Sequence, residues 1–130
     1  MTNKKVLVVD DEIHIVHVVG VKLRHHGYDV LSADNGSQAY ELACQERPDI
    51  IITDYQMPVM TGLELARKLR QTERTKTIPL ILLTARMHGL SKVECDKLGI
   101  CDCISKPFSP KELLRTIEDV LFSVQSHTCC

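Results

Sequence analysis

The sequence predicts an α/β protein in which a doubly wound, five-stranded parallel sheet carries helices on both faces. Continuous apolar runs alternate with segments of helical period, a pattern typical of buried parallel strands joined by helices. The connections are short, which favours right-handed strand–helix–strand units within one sheet. Four runs end on polar residues: residues 6–9 precede Asp10-Asp11, 50–53 precede Asp54, 80–83 precede Thr84, and 103–105 precede Lys106.

The strands are predicted where apolar and β-branched residues follow a turn signal. They lie at about residues 5–9, 29–33, 49–53, 79–83 and 101–105. Pro79 suits the start of the fourth strand, because a proline has no N–H to donate to the sheet ladder.

Five helices are predicted, at about residues 12–26, 35–46, 62–71, 91–98 and 109–124. The first ends at Gly27, and its predicted buried stripe comprises Ile13, Val16, Gly20 and Leu23. In the last helix, Ser109 and Pro110 suit the N-cap and the first helical position. Its apolar stripe comprises Leu113, Ile117, Val120 and Val124.

Length and composition favour a single globular domain in the cytoplasm. The chain has 130 residues, of which 44% are hydrophobic and 25% charged, so it can bury a core. The net charge of −1 provides no basic field for nucleic acid. No apolar stretch approaches the roughly 18 residues of a membrane span. The N-terminus lacks the apolar segment of a secretory signal, so we expect a cytoplasmic domain that contacts neither membrane nor nucleic acid.

The cysteine pattern predicts reduced thiols. The six cysteines are Cys44, Cys95, Cys101, Cys103, Cys129 and Cys130. Without a signal peptide, a disulfide framework is not expected. Their spacing also lacks the C-x₂-C pattern of common zinc sites.

Three carboxylates are predicted to meet at one edge of the sheet. Asp10, Asp11 and Asp54 follow strands whose carboxyl ends share that edge, where ligands of doubly wound sheets bind. Three adjacent negative charges require protonation or a cation. Mg²⁺ or Mn²⁺ is the natural occupant, because these ions prefer oxygen ligands. The alternative is that Asp10 and Asp11 only cap the following helix.

Thr84 and Lys106 are predicted to add a hydroxyl group and a positive charge on the far side of Asp54. A hydroxyl and an ammonium group suit the non-bridging oxygens of a phosphoryl group. β-Propensity alone also explains Thr84, and a surface position before a turn also explains Lys106. Their shared place at strand ends favours the functional interpretation.

The ordered motifs resemble the receiver domain of two-component response regulators. They are Asp10-Asp11, the run Ile-Thr-Asp-Tyr-Gln-Met-Pro at residues 52–58 with Gly62 after it, Leu83-Thr84-Ala85, and Lys106-Pro107-Phe108. The resemblance covers nearly the whole chain. It implies the flavodoxin-like strand order 2-1-3-4-5, a receiver domain at residues 1–124, and a short C-terminal tail at residues 125–130.

The resemblance implies a phosphorelay role with Asp54 as the phosphoacceptor. A sensor histidine kinase or a histidine phosphotransfer protein would supply the phosphoryl group. Asp11 would bind Mg²⁺ directly, Asp10 would help through water, and Asp54 and the backbone carbonyl of Gln56 would complete the protein ligands. Lys106 would pair with the phosphoryl oxygens.

The same resemblance implies a switch at the edge of the site. Thr84 would move toward the phosphoryl group, and Ala85 would leave space for the donor. Side chains at Gln56 and Arg86 would tune how long the phosphoryl group survives. The Lys106-Pro107 bond resembles the cis peptide of the family.

One departure concerns the output side. The family usually has Tyr or Phe three residues before the lysine, and here that position is Cys103. A thiol cannot report a change by burying a ring, so coupling to the surface of helix four, strand five and helix five is expected to be weaker than usual. That surface would bind a downstream partner or an attached output domain.

Two other functions remain open at this point. A metal-dependent phosphohydrolase with an aspartyl-phosphate intermediate would need an acid two residues after its nucleophile, where this chain has Gln56. A receiver-like scaffold would bind partners without phosphorylation. The leading expectation is a signalling module and not an enzyme, although it would assist its own phosphorylation and dephosphorylation. We expect a monomer or a weak phosphorylation-dependent dimer.

Overall fold

Five parallel strands form one sheet in the computed structural model, which describes residues 4–85 and 92–126, with the backbone alone at residues 92 and 122–126. The strands are β1 (Lys5–Val9), β2 (Asp29–Ala33), β3 (Ile50–Asp54), β4 (Leu80–Thr84) and β5 (Ile100–Ser105). Their spatial order is β2-β1-β3-β4-β5, and all neighbouring pairs are parallel. The predicted flavodoxin-like order is therefore confirmed.

The helices connect the strands as predicted, with small differences at their ends. They are α1 (Ile13–His25), α2 (Gly36–Glu46), α3 (Gly62–Arg70), α4 (Lys92–Lys97) and α5 (Pro110–Ser126). Asn35 caps α2 by accepting a hydrogen bond from the Gln38 N–H, and Ser109 does the same for the Glu112 N–H of α5. Because α5 continues through Ser126, it enters the segment predicted as a tail. The division at residue 124 stays a prediction.

Both faces of the sheet are buried, as the uninterrupted apolar runs require. On one face, Leu7 and Val9 pack in a cluster with residues of α2, α3 and α4. On the other face, Val6 and Val8 pack in a second cluster with residues of α1 and α5. Alternate residues of one strand thus enter opposite cores, and the sheet has a helical layer on each side.

The predicted buried stripe of α1 is wrong at its first position. Ile13 is 75% exposed, whereas Val19, Gly20 and Leu23 are buried. Ile13 is the first residue of the helix and directly follows the exposed residues Asp11 and Glu12. Helical spacing gave the right phase, but spacing alone does not show which turns of the helix are covered.

An irregularity in β5 changes which way its later side chains face. Leu80 pairs with Ile100, but Ile81 pairs with Asp102, so Cys101 is an extra residue between the two pairs. An extra residue in one strand shifts the following side chains to the opposite face. As a result Cys103 packs against the same cluster as Ile100 instead of the opposite one.

The cysteine prediction is correct for three described residues and wrong for one. Cys44, Cys95 and Cys103 carry free thiols, whereas Cys101 is disulfide-bonded. The reason is geometric, because a disulfide depends on the distance and orientation of two sulfur atoms and not on composition.

Across residues 4–85 and 92–126, we find no helix with the length and apolar character to span a membrane. The cytoplasmic location stays a prediction.

Candidate functional site

Four neighbouring strands bring their terminal polar residues to one edge of the sheet. Asp10 directly follows β1, Asp54 ends β3, Thr84 ends β4, and Lys106 directly follows β5. Carboxylate oxygens of Asp10, Asp11 and Asp54 all lie within 4.8 Å of one another. The geometric expectation of three converging carboxylates is therefore confirmed.

The loop after β3 is held close to Asp54 by a glycine. A Cβ atom at Gly62 would lie 2.6 Å from the backbone oxygen of Asp54. The Gly62 N–H donates to the backbone oxygen of Tyr55 at 2.8 Å. Met57 is buried beneath the loop, with its sulfur 3.8 Å from the Thr53 hydroxyl. Only a residue without a side chain allows α3 to begin so close to the end of β3.

Lys106 follows β5, which lies on the far side of β3 from β1, and its ammonium group reaches back among the carboxylates. Its Nζ is 3.0 Å from Asp54 Oδ1 and 3.3 Å from Asp10 Oδ2. It is also 3.6 Å from Oε1 of Glu12. The Lys106 N–H donates to the Thr84 backbone oxygen at 2.8 Å, and the Lys106-Pro107 peptide is cis, as the resemblance implied. In this arrangement the ammonium group offsets part of the negative charge of the acids.

Burial raises the pKa of two of the carboxyls. Asp10 is 1% exposed and Asp54 is 7% exposed. For Asp10, desolvation raises the pKa, the Glu12 N–H lowers it, and the charge of Asp54 raises it. For Asp54, desolvation again raises the pKa, Lys106 lowers it, and the charge of Asp11 raises it. In both cases the net pKa lies above the ordinary value, because one ammonium does not offset burial and mutual repulsion.

The same contacts raise the pKa of Lys106. Desolvation acts to lower it, but the hydrogen bond to Asp54 and the charges of Asp10 and Asp54 outweigh that effect. Lys106 is therefore a fixed cation at neutral pH, with a side chain that is 18% exposed.

The carboxylate cluster fits a hard divalent cation. All three side chains offer carboxylate oxygen atoms. Asp10 and Asp54 are buried, and Asp11 is exposed. The raised pKa values of Asp10 and Asp54 mean that added positive charge would stabilise the ionised cluster. The donor set contains no sulfur or nitrogen atom that would favour a softer metal.

A cavity of about 570 Å³ opens at this edge of the sheet. It is lined by Asp11, Glu12, Asp54, Tyr55, Gln56, Thr84, Ala85 and Lys106. Of the predicted switch and tuning residues, Ala85 and Gln56 are exposed at its rim, whereas Arg86 lies outside the described residues. An anion in this cavity would meet both a cation-binding cluster and an ammonium group, which suits a phosphoryl group.

Glu12 is a site residue that the sequence argument did not identify. Its carboxylate contacts Lys106 and lines the cavity. The available signal was the run of three acids from Asp10 to Glu12, but a helix start also favours acids at such positions.

Cys103 lies behind the site and does not line it. It is half-buried and packs against the core cluster that contains Cys95 of α4. The position is compatible with the predicted connection between Thr84 and the surface of α4, β5 and α5.

Comparison with known proteins gives one consistent family. Residues 6–118 match the family described as the response regulator receiver domain. The chain is 40% identical over 121 residues to the phosphate regulon transcriptional regulatory protein PhoB of Pseudomonas aeruginosa, covering 93% of this chain and 53% of PhoB. It is 40% identical over 119 residues to the alkaline phosphatase synthesis transcriptional regulatory protein PhoP of Bacillus subtilis, covering 92% of this chain and 49% of PhoP. The chain thus spans about half the length of these curated relatives.

Solved structures agree. The chemotaxis response regulator CheY4 of Vibrio cholerae has a TM-score of 0.83 and 38% identity, over 91% of this chain and 98% of that one. The receiver domain of a sensor histidine kinase from Pseudomonas aeruginosa, which holds a magnesium ion in its active-site cleft, has a TM-score of 0.83 and 31% identity, over 94% of this chain and 100% of that one. The fold, the carboxylate cluster and these matches lead to one conclusion: the chain belongs to the receiver domains of two-component response regulators, which are phosphorylation-switched signalling modules.

Proposed function

We propose that Asp54 is the phosphoacceptor of this receiver domain. The observation that carries the proposal is the contact between its carboxylate and Lys106 at 3.0 Å, inside a cavity that also presents Thr84. Asp10 is more deeply buried and does not line that cavity. Asp11 lines the cavity but is exposed. In the part of the chain that the structure describes, its carboxylate is not within 4.0 Å of the Lys106 ammonium group.

The transfer itself needs a nucleophile and charge stabilisation. One oxygen of the Asp54 carboxylate attacks the phosphorus atom as the nitrogen–phosphorus bond of a phosphohistidine breaks, and the donor imidazole leaves as the neutral base after protonation. Lys106 then exchanges part of its contact with carboxylates for contact with phosphoryl oxygens. Bound Mg²⁺ would offset the negative charge of those oxygens.

For the metal, we propose direct binding by Asp11 and Asp54, help from Asp10 through water, and the backbone carbonyl of Gln56 as a further ligand. The carboxylate spacing supports this assignment. Mg²⁺ is preferred because a related receiver domain holds it in its cleft, and Mn²⁺ would suit the same oxygen ligands.

Thr84 and Ala85 are the proposed switch residues next to the phosphoryl group. Thr84 is 2% exposed at the end of β4, and a phosphoryl oxygen would draw its hydroxyl toward the cavity. Ala85 at the rim leaves room for the donor. Gln56, with Arg86, would slow attack by water and so allow the domain to influence its own dephosphorylation without being a dedicated enzyme.

The start of α1 is the proposed docking surface for the phosphohistidine donor. Ile13 is next to the acids and strongly exposed, and Val18 and Val21 are exposed along the same helix. Exposed aliphatic side chains beside a reactive site favour a protein partner. A sensor histidine kinase or a histidine phosphotransfer protein presents the required chemistry.

The surface formed by α4, β5 and α5 is the proposed output face. It would bind a downstream protein or an attached output domain, since the curated relatives are about twice as long as this chain. Nucleic acid is not a proposed ligand of this domain, and we propose a monomer or a weak phosphorylation-dependent dimer. Because Cys103 is small, Cys103→Tyr should enlarge phosphorylation-dependent chemical-shift changes on α4 and α5. An unchanged response would show that the small side chain of Cys103 does not limit the coupling to α4 and α5.

Labelling with a small acyl phosphate and Mg²⁺ tests the proposal. Wild type should take up one phosphoryl group, and Asp54→Asn should take up none, because the amide has similar shape but is a poor nucleophile. Asp29→Asn, at an exposed acid at the start of β2, is the matched control and should label as wild type does. Undiminished labelling of Asp54→Asn would overturn the assignment.

The same experiment separates the other two functions. Persistent label supports a switch, continuous turnover of a phosphoester supports a phosphohydrolase, and no label in the wild type supports a scaffold. The family match favours the first, and Gln56 occupies the position where a phosphohydrolase would need an acid.

A further inference from the structure

Two free thiols from different elements meet behind the site. Cys95 lies on α4 and is 9% exposed, and Cys103 lies on β5 and is half-buried. Both pack in the core cluster on the same face of the sheet, and the Cys95 side chain is near enough to Cys103 to be one cause of its raised pKa. The two sulfur atoms are therefore already neighbours in the thiol state.

The irregularity of β5 produces this contact. If the side chains of β5 alternated regularly from Ile100 onward, Cys103 would face the α1 and α5 side, where Cys101 and Ile104 pack. Because of the register shift, Cys103 instead faces the α4 side, as Ile100 does. The pairing of the two thiols thus follows from a register shift that places them on one face.

We propose that Cys95 and Cys103 form a redox modification site that closes to an intramolecular disulfide. With a peroxide as oxidant, one thiolate attacks the O–O bond and becomes a sulfenic acid, and the peroxide releases hydroxide. The second thiol then attacks that sulfur and expels water. The pair loses two electrons and two protons, and hydrogen peroxide is reduced to two water molecules.

The surroundings make this reaction slow at neutral pH. Burial, the neighbouring Cys95 and the charge of Asp102 together raise the pKa of Cys103 from its ordinary value of 9.0 to about 11, with burial the largest cause. The thiolate is the reactive form, so the oxidation rate should increase with pH above neutrality.

A disulfide here would join α4 to β5 covalently. This step rests on the proposed function of the domain. The disulfide joins two of the three elements of the output face, and it would restrict their movement after phosphorylation. Oxidation would then reduce the phosphorylation-dependent response while Asp54 still accepts a phosphoryl group, since neither thiol lines the cavity at Asp54.

Peptide mapping tests the disulfide without reference to phosphorylation. In a full-length Cys101→Ser variant, trypsin cleavage after Lys92 and Lys97 places Cys95 on residues 93–97, and Cys103 on residues 98–111 as the only cysteine there. After treatment with hydrogen peroxide and alkylation of remaining thiols, these two peptides should be joined, with the loss of two hydrogen masses. A reducing agent should separate them.

Matched variants decide the outcome. Cys95→Ser in the same background should leave the peptide of residues 98–111 unjoined, and Cys44→Ser should have no effect on the joined product. Two alkylated peptides after prolonged oxidation at pH 9, or joining to other cysteines alone, would overturn the proposal. Circular dichroism of each serine variant confirms that the fold persists.

Labelling of Asp54 in the oxidised domain distinguishes a failure of this proposal from a failure of the proposed function. If the disulfide forms and the oxidised domain still labels at Asp54 but shows smaller chemical-shift changes on α4 and α5, both stand. If the disulfide forms and the wild type never labels, the modification site stands and the phosphoacceptor assignment fails. If it forms without altering the response of a labelled domain, the restriction of the output face is refuted.

Discussion

Replacing Lys106 with methionine should destabilise the folded domain, because its ammonium group is the cationic partner of two buried carboxylates. Nζ lies 3.0 Å from Asp54 and 3.3 Å from Asp10. At an effective dielectric constant of about 20, each such pair is attracted by about 5 kcal/mol before desolvation and relaxation. Glu12 adds little, because its side chain is largely exposed.

The net loss is smaller than the Coulomb figures. Removing one partner of a buried ion pair costs about 3–5 kcal/mol, and the partial exposure of Lys106 favours the low end, about 3 kcal/mol. For a domain of this size that corresponds to a fall in the melting temperature of about 10 °C. Methionine retains much of the length of the lysine stem, so the loss reports charge more than packing.

The pH dependence checks the cause. The folded-state pKa values of Asp10 and Asp54 are raised above their ordinary value of 3.8, so these carboxyls bind more protons in the folded state than in the unfolded state. Their cost to stability is present at neutral pH and disappears as the pH falls through the raised values. Lys106→Met raises them further, so its deficit relative to wild type should shrink as the pH falls from 7 toward 4.

Thermal unfolding of wild type and Lys106→Met, with and without Mg²⁺, is the assay. Mg²⁺ should restore more stability to the variant, because no ammonium group competes for the carboxylates. Lys111→Met, at an exposed position of α5, is the control and should stay within about 0.5 kcal/mol of wild type. Equal, pH-independent effects of the two substitutions would refute the electrostatic argument.

Three further predictions follow from the same site. Asp54→Asn should raise the melting temperature of the metal-free domain, because it removes a carboxylate whose pKa is raised by burial; a lower melting temperature would show that the contact with Lys106 dominates. Mg²⁺ at a hundred times its dissociation constant should stabilise wild type by about 2.7 kcal/mol in thermal unfolding, and an equal gain in Asp11→Ala would place the metal elsewhere. Gly62→Ala should destabilise by about 3 kcal/mol in urea unfolding, because the new methyl group would overlap the Asp54 backbone oxygen; a wild-type midpoint would mean that α3 shifts without cost.

The fold and the chemical character of the site could be predicted from local patterns. Buried parallel strands are continuous apolar runs, and their carboxyl ends lie at one edge by construction. The polar residue at the end of each apolar run was therefore enough to predict that Asp10, Asp54, Thr84 and Lys106 lie at one site. Element ends were predicted within a few residues, because caps such as Asn35 and Ser109 act on their immediate neighbours.

Features that depend on distances between remote parts of the chain were decided by the tertiary structure. The helical phase of α1 was right, but Ile13 in its first turn is exposed, because helical spacing does not show which turns are covered. The ammonium group of Lys106 reaches Asp10 as well as Asp54, and that contact depends on where β5 ends relative to β1 and β3.

The cysteines show the same division between sequence and structure. The sequence by itself determined which thiols exist, but one extra residue in β5 decided that Cys103 faces Cys95. The disulfide at Cys101 also depends on tertiary contact. The physical reason is that side-chain direction in a strand has a period of two, so a single register shift reverses every later contact, and nothing in local composition records that shift.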